Sequence, residues 1–373
     1  MLLCLFVSSC LAVSAVTLSL PKRSSSIWNV DSFDSLITFG DSYTDENRLG
    51  YFIAQNGSAP PPGTYLPEGL NTASGGRTWP RFVIQYTGNT GSSGHWTPGL
   101  ELYDYAVSGA VCSNDISPRI LSAINGPFPA VLEYEVPAYL ADRNTTRNGT
   151  NQAYFSPALS STSAVYSLWI GTNDLGINAF LTDSQIPGYV LSDYTECIYR
   201  VFDQLYASGA RVFVLFNNAP LQLAPLYAND TLMGVGNNQY WNPKPTNHTA
   251  IAAKMHEYTT SVNDIFKYQS PYEALVAGRY PGASLAVFNV WQLFSDIYDN
   301  PTAYLNGSQP ANVTGFEHQC TPDQKSCYLM YNGTSSDSFM WYDELHPSEQ
   351  TDRIIAQTFV DVLNGSSSYA QYY

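Results

Sequence analysis

The chain has 373 residues, of which 44% are hydrophobic and 13% charged, with a formal net charge of −15. This length and apolar content are enough for one large core with long loop insertions. Because an acidic surface repels polyanions, we expect neither nucleic acid nor a membrane as a partner. The negative net charge also suits a soluble secreted protein.

The N-terminus has the features of a secretory leader. Residues 1–15 form an apolar run that ends in small residues and is too short for a stable bilayer anchor. We therefore predict a signal peptide at 1–15 and an extracellular protein. Residues 16–30 contain a serine run, which predicts a flexible segment ahead of a single domain at 31–373. The pair Lys22-Arg23 is either a second processing site for a dibasic protease or two surface charges.

Sequons for N-glycosylation are frequent, and their density favours a glycosylated extracellular protein. The predicted glycosylation sites are Asn56, Asn144, Asn148, Asn229, Asn247, Asn306, Asn312, Asn332 and Asn364.

Four cysteines lie outside the predicted signal peptide, an even number that fits an oxidising compartment. Cys320 and Cys327 close a short loop and are the preferred disulfide, which leaves Cys112 with Cys197 by elimination. A buried free thiol is the alternative for Cys197, which lies on the apolar face of a predicted helix. No cysteine–histidine spacing predicts zinc, and we expect no cofactor.

Five short apolar segments predict strands that are buried on both faces of a sheet. They are residues 36–39, 102–107, 164–170, 211–216 and 285–290. Helical patterns lie between them and after them, and the clearest are at 193–208, 250–267 and 348–363. Because strands and helices alternate, we predict an α/β fold, a three-layer α/β/α domain with a five-stranded, mostly parallel sheet and long loop insertions.

Three of the predicted strands lead into residues that suit ester chemistry. The first strand breaks at Gly40-Asp41-Ser42, the second leads to Gly109, and the third stops at Asn173. Because carboxyl ends of parallel strands meet at one edge of a sheet, we expect these residues to lie together. Each residue also has a purely structural interpretation: a helix-capping turn at Ser42, a tight turn at Gly109 and a cap at Asn173.

A fourth segment, Trp341 to Pro347, precedes the closing helix and can reach the same edge. It contains Asp343 and His346, three residues apart, which can share one turn of a loop. A serine esterase needs a nucleophile, a base, a group that orients the base, and donors for the oxyanion. We assign these roles to Ser42, His346 and Asp343, with Glu344 as a less favourable orienting group.

The expected oxyanion donors are the backbone N–H groups of Ser42 and Gly109 and the side-chain amide of Asn173. The purely structural interpretation of Asp343 and His346 is a charge pair at a helix N-terminus. The joint occurrence of all these residues, in this order and at these strand ends, favours catalysis.

Four segments of the chain resemble the sequence blocks of GDSL/SGNH hydrolases. These segments are Phe39-Gly40-Asp41-Ser42, the glycine in Tyr105-Ala106-Val107-Ser108-Gly109-Ala110, Gly171-Thr172-Asn173-Asp174, and Asp343-Glu344-Leu345-His346. They occur in the order of that family and span most of the predicted mature chain. The resemblance implies a flavodoxin-like sheet without a metal.

The longer string from Thr38 to Arg48, with Tyr105 to Cys112, is similar to fungal secreted acetylesterases of carbohydrate esterase family sixteen. This resemblance implies hydrolysis of acetyl esters on hemicellulose-derived oligosaccharides, with an acetylated oligosaccharide or small ester as the partner of a monomer. One alternative is a secreted lipase or phospholipase of the same superfamily. An alternative of another class is a non-catalytic glycan-binding protein, against which the intact Ser42, Asp343 and His346 argue.

Overall fold

The computed structural model describes residues 27–92, 94–308, 310–330 and 333–373. The predicted signal peptide, residues 16–26 of the N-terminal segment and the sequon at Asn332 lie outside the described residues. Residues 27–30 are described, and Trp28 is buried against the rings of Phe33 and Tyr372.

A six-stranded sheet forms the centre of the described structure. Its strands in chain order are β1 (Ser35–Gly40), β2 (Glu101–Asp104), β3 (Ala164–Trp169), β4 (Val212–Phe216), β5 (Ser284–Phe288) and β6 (Ala370–Tyr372). The spatial order is β6-β5-β4-β3-β1-β2, and the first five strands of the chain are parallel. The order 2-1-3-4-5 of these parallel strands is the flavodoxin-like order, so the predicted α/β fold class is confirmed.

The sixth strand differs from the sequence-based expectation of five. β6 pairs antiparallel with β5, with Gln371 opposite Val287. It has only three residues, with a polar one in the middle, so no apolar run or alternation marks it in the sequence. Its position after the last helix lets it cover the edge of the sheet, which would otherwise expose unpaired backbone groups.

Helices alternate with the strands through most of the chain. They are α1 (Arg48–Ala54), α2 (Trp79–Thr87), α3 (Val136–Asp142), α4 (Thr172–Leu175), α5 (Leu191–Ala207), α6 (His248–Pro271), α7 (Val290–Asp299), α8 (Pro301–Tyr304) and α9 (Glu349–Leu363). The predicted helices at 193–208, 250–267 and 348–363 correspond to α5, α6 and α9.

Short ladders decorate the loops between these elements. They are formed by Asn89–Thr90 with Trp96–Thr97, Ile120–Leu121 with Gly126–Pro127, His318–Cys320 with Cys327–Leu329, and Asn312–Phe316 with Phe339–Trp341.

The helices cover both faces of the sheet, which gives the predicted three layers. On one face α2 packs against α9, and the ring of Trp79 lies 4.8 Å from that of Phe216 in β4 and 4.9 Å from that of Phe359. On the other face α3, α5 and α6 form the layer, where the rings of Phe202 and Phe213 are 5.1 Å apart. Burial of large aromatic rings on both faces is the main source of stability for such a sheet.

Helix α9 begins directly after the loop that carries His346. Ser348 is its N-cap, and the Ser348 hydroxyl oxygen accepts the backbone N–H of Thr351 at 3.1 Å. The same hydroxyl donates to the carbonyl of Phe339 at 2.7 Å. The cap therefore fixes the start of the helix to the strand Phe339–Trp341 and holds the intervening loop at both ends.

In the described part of the chain, no helix combines the length and apolarity that crossing a bilayer requires. None of the eight described sequon asparagines is buried, which is compatible with glycosylation at these sites. Their glycosylation stays a prediction.

Both disulfides are present, with the pairing expected from the sequence. Cys112 in the loop after β2 is bonded to Cys197 in α5, and Cys320 is bonded to Cys327 across a hairpin. The free-thiol alternative for Cys197 therefore does not apply. The first bridge ties the loop that follows Gly109 to a buried helix, next to the edge where the candidate site lies.

We predict that the two bridges differ in their contribution to stability. Cys112 and Cys197 are separated by 85 residues, so loss of their bridge in Cys112→Ala/Cys197→Ala should lower the free energy of unfolding by about 4–5 kcal/mol. Cys320 and Cys327 are separated by 7 residues, and Cys320→Ala/Cys327→Ala should lose only about 2–3 kcal/mol. Urea unfolding of both variants measures the difference, and equal losses would contradict the loop-length argument.

Candidate active site

Ser42 lies just beyond the carboxyl end of β1. The strand ends at Gly40, where a Cβ atom would come within 2.2 Å of the carbonyl oxygen of Trp169 in β3. Asp41 then turns the chain, because its side chain accepts the N–H of Tyr43 at 3.1 Å and its carbonyl accepts the N–H of Thr44 at 2.9 Å. This turn holds Ser42 with only 6% of its surface exposed.

His346 and Asp343 meet Ser42 from the far end of the chain. The Nε2 atom of His346 lies 2.8 Å from the Ser42 Oγ atom. The Nδ1 atom of His346 lies 2.9 Å and 3.0 Å from the two carboxylate oxygens of Asp343. The structure thus brings together three residues that the sequence analysis grouped, in one continuous line of hydrogen bonds.

The loop that carries these two residues is closed by its own backbone. The N–H of Tyr342 donates to the carbonyl of His346 at 2.8 Å. Asp343 Oδ1 accepts the N–H groups of Leu345 and His346, both at 2.8 Å. The Tyr43 hydroxyl donates to the Leu345 carbonyl at 2.7 Å, which joins the loop to the serine turn.

The electrostatics of the pair favour a base at His346. Burial opposes the charged imidazolium, but the Asp343 carboxylate outweighs it and raises the pKa of His346 above its ordinary value. Burial likewise opposes the Asp343 carboxylate, and the charge and hydrogen bonds of His346 still hold the pKa of Asp343 below its ordinary value. Asp343 is therefore an ionised partner that stabilises a proton on His346.

Glu344, the alternative orienting group, is hydrogen-bonded to other residues and not to His346. Its carboxylate accepts the Gln239 side-chain amide at 2.9 Å, and its carbonyl accepts the N–H of Leu226 at 2.6 Å. The His346 Nδ1 atom is oriented by Asp343 instead.

Tyr240 is a residue at this site that sequence reasoning missed. Its hydroxyl donates to Asp343 Oδ2 at 2.6 Å and lies 3.3 Å from His346 Nδ1. It belongs to the irregular segment 220–245, which has no periodic pattern that could have indicated its position. The hydroxyl gives Asp343 Oδ2 a hydrogen-bond donor in addition to His346 Nδ1, so both oxygens of this buried carboxylate are well paired.

The other two strand-end residues lie beside the serine turn. Gly109 has a φ of +87°, and a Cβ atom there would come within 2.3 Å of the Phe128 ring, so only glycine fits. The Asn173 side-chain nitrogen donates to the Ala110 carbonyl at 2.9 Å and lies 3.4 Å from Asp41 Oδ2. Gly109 and Asn173 therefore border the same small region as Asp41 and Ser42.

Two backbone donors at this edge have no acceptor. Among the described residues, the N–H groups of Ser42 and Gly109 take part in no hydrogen bond. Unpaired N–H groups are rare where the backbone is largely buried, and a pair of them at one site suits binding of a negatively charged oxygen.

Arg119 is the second residue that the sequence analysis missed. One guanidinium nitrogen donates both to the Gly109 carbonyl and to the Asn173 side-chain oxygen, the latter at 2.6 Å. The guanidinium also lies over the Phe128 ring, 4.9 Å from its centroid. A lone arginine in a loop carries no sequence signal for such a contact.

Two further carboxyl groups are buried close to the site. Burial raises the pKa of Asp41 to about 6 and that of Asp174 to about 7. Asp174 accepts the N–H of Cys112 at 2.9 Å, which connects the disulfide-bonded loop to α4.

One group of potential metal ligands occurs in the described residues, formed by His318, Cys320 and Cys327. The two cysteines are bonded to each other and cannot supply thiolates, so these residues do not fit a metal site.

Comparison with known proteins adds to this geometry. The family model for GDSL-like lipase/acylhydrolase matches residues 36–359. An acetylesterase of Hypocrea jecorina is 41% identical over 92% of this chain and 92% of its own length. An acetylesterase of Thermothelomyces thermophilus is 26% identical over 89% of this chain and 88% of its own.

Among solved structures, an acetylxylan esterase from Geobacillus stearothermophilus aligns with a TM-score of 0.40 and 14% identity, covering 88% of this chain and 94% of that one. The family model and the 41% identical relative together show that the chain belongs to the GDSL-like lipase/acylhydrolase family and is a carboxylic-ester hydrolase.

Proposed function

We propose that Ser42 is the nucleophile of this esterase, that His346 is its general base and that Asp343 orients the base. The observation that supports this proposal is the line of hydrogen bonds, 2.8 Å from Ser42 to His346 and 2.9 Å from His346 to Asp343. A serine hydroxyl is a weak nucleophile at its ordinary pKa, and an adjacent base within hydrogen-bond reach activates it.

The proposed reaction has two stages. The Ser42 oxygen attacks the carbonyl carbon of the ester while its proton passes to His346 Nε2. The C–O bond to the leaving alcohol then breaks, and that alcohol oxygen takes the proton from His346. In the second stage His346 removes a proton from water, the resulting hydroxide attacks the acyl group on Ser42, and the free carboxylic acid leaves as Ser42 regains its proton.

The negative charge of each tetrahedral intermediate needs donors that are in place beforehand. We assign this role to the N–H groups of Ser42 and Gly109 and to the Asn173 amide. The absence of any other acceptor for the first two, among the described residues, supports the assignment. Donors that already point at the oxyanion position need no reorganisation during the reaction, which is why each is worth several kcal/mol.

We further propose that the substrates are acetyl esters on hemicellulose-derived oligosaccharides. The acetylesterase relative that is 41% identical supports a small acyl group, and the family resemblance supports the sugar. The alternative of a lipase or phospholipase has the family's own description in its favour. The residues of the proposed triad are equally compatible with both.

Secretion and a single hydrolase domain in a monomer complete the proposal. Two disulfides are compatible with an oxidising compartment, and the accessible sequons are compatible with glycosylation there.

The proposed nucleophile is tested by Ser42→Ala. We expect hydrolysis of 4-nitrophenyl acetate to be lost, because Ser42 supplies the hydroxyl that contacts His346 Nε2 in the described structure, while the thermal midpoint changes little. Covalent labelling of the unmodified protein by a fluorophosphonate, mapped to Ser42 by peptide mass, is the companion measurement. Retained activity in Ser42→Ala would contradict the scheme, and absence of labelling would favour the glycan-binding alternative.

The proposed base predicts the acid side of the pH profile. His346 must be neutral to accept a proton, and Asp343 raises its pKa above the 6.5 of an ordinary imidazole. Activity should therefore fall as the pH decreases through a midpoint above 6.5, as measured by kcat/KM on an aryl acetate.

Asp343→Asn removes the main charge that raises this pKa and should move the midpoint to lower pH. The matched control is Glu344→Gln, which removes a neighbouring carboxylate that contacts Gln239 and contributes less to the pKa of His346. A larger displacement of the midpoint in Glu344→Gln than in Asp343→Asn would be inconsistent with the assigned roles.

The proposed substrate predicts a steep preference for short acyl groups. Rates on 4-nitrophenyl acetate should exceed those on the butyrate and octanoate esters, and acetate should be released from acetylated xylo-oligomers. A preference for octanoate, or for phospholipid vesicles, would replace the acetylesterase proposal by the lipase alternative and leave the proposed nucleophile intact.

A further inference from the structure

The side chain of Arg119 contacts Gly109 and Asn173, two of the three residues assigned to the oxyanion. A single nitrogen of its guanidinium donates to the Gly109 carbonyl and to the Asn173 side-chain oxygen. We propose that Arg119 is a positioning residue that orients the Gly109 and Asn173 donors toward the oxyanion and adds positive potential there. This inference rests on the proposed function.

The contact with Asn173 decides which way its amide faces. The two ends of an amide are nearly identical in shape, so hydrogen-bond partners determine its orientation. A guanidinium can only donate, and it therefore requires the oxygen of Asn173 on its own side. The nitrogen of Asn173 must then face Ala110 and Asp41, which is the side of the serine turn.

The contact with Gly109 restricts the orientation of the backbone at this residue. Gly109 has a left-handed conformation, with φ of +87°, and the Phe128 ring packs where a side chain would be. Arg119 holds the carbonyl of this residue and covers the same ring. Arg119 therefore fixes the peptide group that follows Gly109, and the left-handed φ of this residue then sets the direction of its unpaired N–H.

The hairpin that carries Arg119 is itself anchored. The N–H of Phe128 donates to the Arg119 carbonyl at 3.0 Å, and Asn114 donates to the Phe128 carbonyl at 2.8 Å. The nearby Cys112 is bonded to Cys197 in α5. Arg119 is thus presented by a segment with little freedom, as a positioning residue requires.

The charge of Arg119 is not neutralised by direct contact. Within the described residues it forms no ion pair, and its hydrogen-bond acceptors are two neutral oxygens. The buried carboxyl groups of Asp41 and Asp174 act on it only from a longer distance. A carboxylate paired with a guanidinium would cancel much of its field at a distance. An unpaired cation next to two oxyanion donors stabilises the negative charge that develops in the transition state.

The test is Arg119→Met, with Arg119→Gln as a second variant that keeps polar contacts if the first does not fold. We expect kcat on 4-nitrophenyl acetate to fall about 10–100-fold with KM little changed. Loss of a residue that orients a functional group, without itself touching the substrate, typically has an effect of this size. Urea unfolding of each variant establishes that the fold is retained.

The matched control is Arg211→Met. This arginine also lies over a ring, 3.9 Å from the centroid of Tyr206, and one nitrogen also donates to two carbonyl oxygens, those of Tyr206 at 2.9 Å and Ala210 at 2.7 Å. It precedes β4 at the opposite edge of the sheet, so its replacement should leave kcat unchanged. An equal loss of kcat in both variants would assign the effect to stability and overturn the inference.

A double-mutant cycle with Asn173 separates positioning from substrate binding. Asn173→Ala should lower kcat by about 10²–10³-fold, and adding Arg119→Met should then cost clearly less than it does alone. Fully additive losses, or a higher KM with kcat intact, would overturn the inference. An active Ser42→Ala would overturn the proposed function as well, whereas an inactive Ser42→Ala beside a fully active Arg119→Met would overturn this inference alone.

Discussion

The parallel pairing of β1 with β2 on one side and β3 on the other is the constraint on which the site depends. Leu36 lies opposite both Leu102 and Val165, so the three strands run in register and leave the sheet at the same edge. Their following turns carry Ser42, Gly109 and Asn173. A shift of one residue in this register would turn every buried side chain of the strand to the opposite layer, so the hydrophobic packing of both faces also fixes the geometry of the turns.

Residues governed by local patterns could be predicted from the sequence. Mostly apolar runs identified β1, β3 and β4, because a strand that is buried on both faces has few polar side chains. Asp343 and His346 were recognisable because their partnership needs only a three-residue spacing and one turn of loop. The disulfides followed from counting cysteines, since the number of possible pairs was small.

Residues whose position is set by tertiary contacts could not be predicted. Tyr240 reaches Asp343 across 103 residues from a segment without periodicity, and Arg119 reaches Asn173 across 54 from a loop. Strand β6 is too short to show a pattern, and it pairs with β5 only because α9 returns the chain to that edge. In each case the partner is determined by contacts that exist only in the completed fold, and the neighbouring residues in the sequence do not indicate it.

The hydrogen bond between Ser42 and His346 joins residues separated by 304 positions. No independently forming segment, such as a hairpin or a βαβ unit, contains both of them. Loss of the closing helix, of the strand before it, or of β1 separates the two side chains completely. With the roles proposed for Ser42 and His346, esterase activity requires the whole sheet to be folded, and a colour assay of that activity then reports the folded fraction.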